Sequence, residues 1–124
     1  MGVFVSVCGW IETNSEQVPL VRRVIEDDVD GVGSNNASWH IPETGGGYSR
    51  FLFFGCTVRA YCVDDLRNQV RRITESVKTY DGEYTDFPQG EFVLEHEGHE
   101  TEPERYPLVR WRFSHGAFVE SESA

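Results

Sequence analysis

Between Asp81 and Glu104 the chain has no lysine or arginine, and the same stretch holds nine acidic residues. That gap concentrates the charge. The formal net charge is −10, yet the remaining residues carry 12 acids against 11 bases and are close to neutral. A field of this sign repels phosphate backbones, so nucleic acid is excluded as the expected partner. It suits solubility and steers a basic protein or a cation toward the acidic segment, although a solvated acid-rich loop has the same composition.

Cysteine is scarce. Cys8, Cys56 and Cys62 make an odd count without a C-x-x-C pair, which argues against a disulfide framework or a zinc ribbon. They read as small buried thiols of a reducing cytosol. Cys8 and Cys56 lie in strand-like runs with no cation beside them to lower a thiol pKa for nucleophilic work. Long apolar runs are also missing, the longest spanning only four or five residues, so no membrane span is expected. The start, "MGVFVSVCGW", lacks the basic n-region and small-residue cleavage site of a signal peptide. "MGVFVS" fits a loose acylation pattern, but Val3, Val5 and Val7 alternate with Phe4 and Ser6 as a strand does. A cytoplasmic protein is the expectation. The triple glycine of "ETGGGYS" lacks the following helix and Lys–Ser/Thr pair of a phosphate loop and reads as a hairpin connection.

What is present suffices for one core. The 124 residues are 39% hydrophobic and 13% aromatic, a normal content for a single domain over residues 1–124. Residues 3–12 read as a strand, with Gly9 marking a bulge or close approach. Thr13 and Glu16 have capping-box spacing. Val18, Val21, Ile25 and Val29 share a helix face that Gly31 and Gly33 end. A short strand at 38–41, the glycine turn and "RFLFFGCTV" make a hairpin. The spacing of Val63, Leu66, Val70, Ile73 and Val77 predicts a helix over 62–79, with Asp64 and Asp65 in its first turn and Lys78 in its last. "YDGEYTDFPQG" reads as a long connection, "EFVLEHE" as a strand, and "LVRWRF", "SHG" and "AFVES" as a terminal hairpin before a frayed "SESA".

The expected fold is therefore α+β, an antiparallel or mixed sheet with both helices on one face. Its element order is β-α-β-β-α-β, the ferredoxin-like pattern, plus a C-terminal β-hairpin. The iron–sulfur cysteine spacing associated with that name is absent. No cofactor is expected.

Two groups of residues stand out as candidate sites. "EHEGHE", residues 95–100, places His96 and His99 among three glutamates. Helical zinc motifs need histidines four apart on one helix face; these are three apart and follow a strand. His96 belongs with Phe92 and Leu94 on one strand face, Glu95 and Glu97 on the other. A polar strand end is the expected role, with adventitious metal binding as the alternative. The second group is "SWHIPETGGGYSRF", where Trp39, Tyr48 and Arg50 are the residue types that anchor interfaces, unless Trp39 caps the core. With Glu95, Glu97, Glu100 and Glu102 they form the expected partner-binding set. The competing reading is a small-molecule or metal-dependent enzyme using His40 or the His96/His99 cluster. His115 is read as a turn former.

The segments "CGWIE", "SWHIP", "FFGCTVR" and "WRFSHGAFVE" resemble small α+β immunity proteins of bacterial polymorphic-toxin systems and uncharacterised actinobacterial relatives. The resemblance rests on Gly9, Trp10, Trp39, Pro42, Phe54, Gly55, Arg59, Trp111 and Gly116. It implies a non-enzymatic protein that binds and blocks a toxin, with no catalytic residues to carry over. An acidic face suits an inhibitor of a basic toxin domain.

Overall fold

Alternation through "FVSVCGWIETN" builds β1, Phe4–Asn14. In the computed structural model, which describes residues 3–27, 38–42 and 48–123, Val5, Val7 and Ile11 are buried while Ser6, Cys8 and Trp10 face the other way. Helix α1, Val18–Asp27, buries Val18, Val21 and Ile25. The short β2, Trp39–His40, precedes β3, Ser49–Arg59. A 3₁₀ turn at Ala60–Cys62 leads into α2, Val63–Ser76. Then come β4 (Thr79–Asp81), β5 (Tyr84–Asp86), β6 (Gln89–His96), β7 (Leu108–Ser114) and β8 (Ala117–Ser123).

Six strands form one sheet in the order β2-β3-β1-β6-β7-β8, and β4 pairs with β5 as a separate hairpin. Every pairing is antiparallel, so the sheet is not mixed. Both helices contribute to the same apolar cluster, with Val21, Ile25, Leu66, Val70 and Ile73 meeting Val7, Ile11, Leu52, Phe54, Phe92 and Trp111. The fold is thus α+β, with both helices on one face of the sheet. Gly9 permits this packing, since a β-carbon there would lie 2.4 Å from the Phe92 ring.

Local chemistry corrects several boundaries. The α1 cap is one residue later than Thr13–Glu16. The Asn14 side chain accepts from Gln17 N–H at 2.9 Å, and Gln17 Oε1 accepts from Asn14 N–H at 3.0 Å. This is a reciprocal capping box built with amides. Thr13 is buried and its hydroxyl has no partner among the described residues. Helix α2 ends at Ser76, so Lys78 lies beyond its last turn. The expected connection "YDGEYTDFPQG" contains most of the β4–β5 hairpin, turned at Gly82 with φ of 63°. "SES" is the end of β8, paired back to Leu108. The terminal turn is as expected: His115 and Gly116 both have positive φ, 52° and 78°, the requirement of a two-residue type I′ hairpin. Val29, Gly31, Gly33 and the Gly45–Gly47 loop lie outside the described residues.

Candidate functional site

β6 delivers the acidic segment to two different places. Its first residues stand beside the β4–β5 hairpin, which carries Asp81 and Glu83, and its end releases the loop 97–106. The eight-residue strand separates the two groups by roughly 25 Å. The acids that are continuous in sequence therefore form no single face. Two of them are also engaged within the fold, Glu91 by cations and Asp86 by a neutral amide. Glu91 accepts from Arg110 and Arg112 at 3.3 Å each, and Asp86 accepts from Asn14 at 2.7 Å.

The loop end is held by its histidines. His96 extends the Phe92–Leu94 face and stacks on Tyr106, with ring centroids 3.8 Å apart and planes 3° from parallel. Its Nδ1 accepts from Gly98 N–H at 3.3 Å, which leaves the proton of the neutral ring on Nε2. His99 Nδ1 donates to the Tyr106 carbonyl at 2.5 Å, because a carbonyl only accepts. Backbone bonds from His99 to His96, Glu102 to Gly98 and Tyr106 to Glu102 close the loop. Gly98 lies under Tyr106, where a β-carbon would sit 2.8 Å from the ring. Both imidazoles thus brace the backbone, and among the described residues no group of three or more His, Cys, Asp or Glu side chains is arranged to hold a metal.

Around this brace Glu95, Glu97, Glu100 and Glu102 are all exposed. Only Glu102 has an ion-pair partner among the described residues, Arg105 at 3.5 Å. Beside the loop a cavity of about 230 Å³ opens over Val5, Leu94, Tyr106 and Val109, with Arg67 and Glu122 at its margin. Arg67 is already committed. It pairs with Asp64, donates to Glu120 at 2.9 Å and lies over the Trp111 ring. Burial alone would lower its pKa; hydrogen bonds and charges from Glu120 and Asp64 outweigh that and raise it above the usual arginine value. Glu120 also accepts from the Trp111 indole at 2.7 Å, so a single carboxylate ties α2 to the terminal hairpin.

The other expected anchors are elsewhere. Trp39 is only 7% exposed, donates to Gln69 at 3.1 Å and packs edge-on against Phe54 and Phe92. It is a core residue, and its ring is not available as a surface anchor. Tyr48, 70% exposed, and Arg50 stand at the opposite end of β1 from the acidic loop: Arg50 pairs with Thr13, whereas His96 pairs with Val5. Tyr48 borders two polar cavities that flank Asn14 and Asp86. His40 pairs with Phe53 on the helix-free face, away from Arg50, so these two do not converge.

One feature had no reading in the sequence. The sheet face opposite the helices exposes Trp10, Phe51, Phe53 and Val119. The signal was available in β3, where Phe51, Phe53 and Phe54 put aromatic rings on both parities, and in β1, where Trp10 has the opposite parity to Val7 and Ile11. Among the described residues no helix is long and apolar enough to cross a membrane. No protein-family model, no curated protein and no solved structure matches this chain.

Proposed function

We propose that the chain is a non-enzymatic, cytoplasmic protein-binding module, an immunity-type inhibitor that engages a basic toxin domain through the loop 97–106. The supporting observation is the braced loop itself: Glu97 and Glu100 are exposed on a backbone that His96, His99 and Tyr106 hold in one conformation. A braced backbone lowers the ordering cost of binding a cationic surface, and the field of its carboxylates speeds encounter with a basic partner. On the same reading, β1-α1-β2-β3-α2-β6 is a ferredoxin-like unit, with its strands in the order β2-β3-β1-β6, and the β7–β8 hairpin extends its sheet.

The test is capture of a basic protein from the native host by the immobilised chain, with identification by mass spectrometry. The triple variant Glu97→Lys/Glu100→Lys/Glu102→Lys should lose most of the capture, and added salt should weaken it in the wild type. Equal capture by the two proteins removes the acidic loop from the function.

A further inference from the structure

We propose that the helix-free face of the sheet is the contact surface between two copies of this chain. The proposal is independent of the function above, because the loop 97–106 lies beyond the end of β6 and remains open in such a pair.

The first support is what the face exposes. An antiparallel sheet with one solvated side ordinarily places polar residues there. Here Trp10 (37% exposed), Phe51 (45%), Phe53 (53%) and Val119 (59%) stand on it. Trp10 and Phe51 are 6.2 Å apart by ring centroid. Cys8 lies beside them, and Val93 is half-buried next to Cys8.

Gly55 gives the second. A glycine within a strand weakens it by about 0.5–1 kcal/mol and often marks a bulge, a bend or a close approach. Gly9 and Gly90 have such reasons within the chain, in Phe92 and in the Trp10 carbonyl. Among the described residues a β-carbon at Gly55 would meet nothing within 4 Å, and the residue is exposed with an ordinary φ. Opposite Cys8, it leaves a flat floor flanked by Trp10 and Phe53. On the proposal, the backbone or ring that approaches this floor belongs to the second copy.

Charge selects the occupant. Among the described residues, register places three carboxylates on this face, Glu12, Glu91 and Glu95, and three guanidinium groups, Arg59, Arg110 and Arg112. The face is therefore balanced on a molecule of net charge −10. A basic partner gains little there compared with the acidic loop. A second copy meets no local excess of like charge, and arginine with aromatic residues is the composition enriched at interfaces. Size agrees. Six strands at about 4.8 Å spacing and about seven residues of rise cover roughly 600 Å² in plan. Protruding rings raise the accessible area toward the ~800 Å² per partner of an ordinary stable interface. Two such faces related by a two-fold axis pack about 10 Å apart.

Sedimentation velocity up to roughly 100 µM tests the assignment. The wild type should be a dimer, and Phe53→Glu or Val119→Arg should be monomeric with unchanged far-UV circular dichroism. Tyr80→Glu, on the separate β4–β5 hairpin, should remain dimeric. In parallel, alkylation of Cys8, read by peptide mass spectrometry, should slow as wild-type concentration rises and stay fast in Phe53→Glu. A wild type that stays monomeric, or a dimer that neither face variant weakens, overturns the proposal.

Discussion

The His96 imidazole lies flat on the Tyr106 ring, centroids 3.8 Å apart, and the Tyr106 carbonyl receives the Nδ1–H of His99. One tyrosine therefore organises both histidines of "EHEGHE". Stacked pairs contribute about 0.5–1.5 kcal/mol beyond the area they bury. Tyr106→Ala should lower unfolding free energy by about 1–2 kcal/mol in urea denaturation. The amides of His99 and Glu102 should exchange faster with deuterium, while those of β1 keep their protection. Unchanged exchange at both would mean that the ring does not hold the loop.

The same geometry bears on metal binding. Each histidine has its Nδ1 engaged by the backbone, and a closed zinc site needs four ligands. Calorimetry with zinc should therefore show no stoichiometric heat at neutral pH. A one-to-one event lost in the His96→Ala/His99→Ala variant would contradict the structural role.

Glu120 joins two elements that are distant in sequence, accepting from Trp111 at 2.7 Å and Arg67 at 2.9 Å. Glu120→Ala leaves a partly buried indole N–H without its acceptor, at a cost of about 1–2 kcal/mol. Glu120→Gln keeps an acceptor oxygen and should lose less than half of that. Equal losses in thermal or urea unfolding would mean that charge rather than the indole bond dominates.

Asn14 caps α1 and bonds Thr79 at 2.9 Å and Asp86 at 2.7 Å, and Gln17 adds a 2.8 Å bond to the Asp86 carbonyl. Cap removal ordinarily costs about 1 kcal/mol. Asn14→Ala should exceed that, near 2 kcal/mol, because buried groups of the network lose partners as well. The amides of the β4–β5 hairpin should exchange faster in this variant and not in Thr13→Val, which removes a hydroxyl that has no partner among the described residues.

Much of the fold is legible locally. The stripe Leu66, Val70 and Ile73 fixes α2, and the alternation of Phe92 and Leu94 against Val93 and Glu95 fixes which way β6 faces. The β4–β5 hairpin was also legible, since Gly82–Glu83 between Asp81 and Tyr84 is a two-residue turn with glycine at its first position; the surrounding polar residues obscured it. The cap was misplaced by one residue because Thr13–Glu16 and Asn14–Gln17 have the same spacing, and only the Asp86 side of the network distinguishes them. The candidate site was less legible. Trp39 has interface chemistry, and its core position depends on Gln69, thirty residues away.

The sequence alone determines the longer helices and strands, their amphipathic faces, the His115–Gly116 turn and the excess of negative charge, because each depends on neighbours within a few positions. Only the tertiary structure decides where those features stand. Pairing of β1 with β3 and β6 sends Arg50 and His96 to opposite ends of one strand, divides the acidic stretch between them, and leaves Trp10 and Phe53 side by side on an open face. Register couples residues tens of positions apart, and no local spacing encodes it.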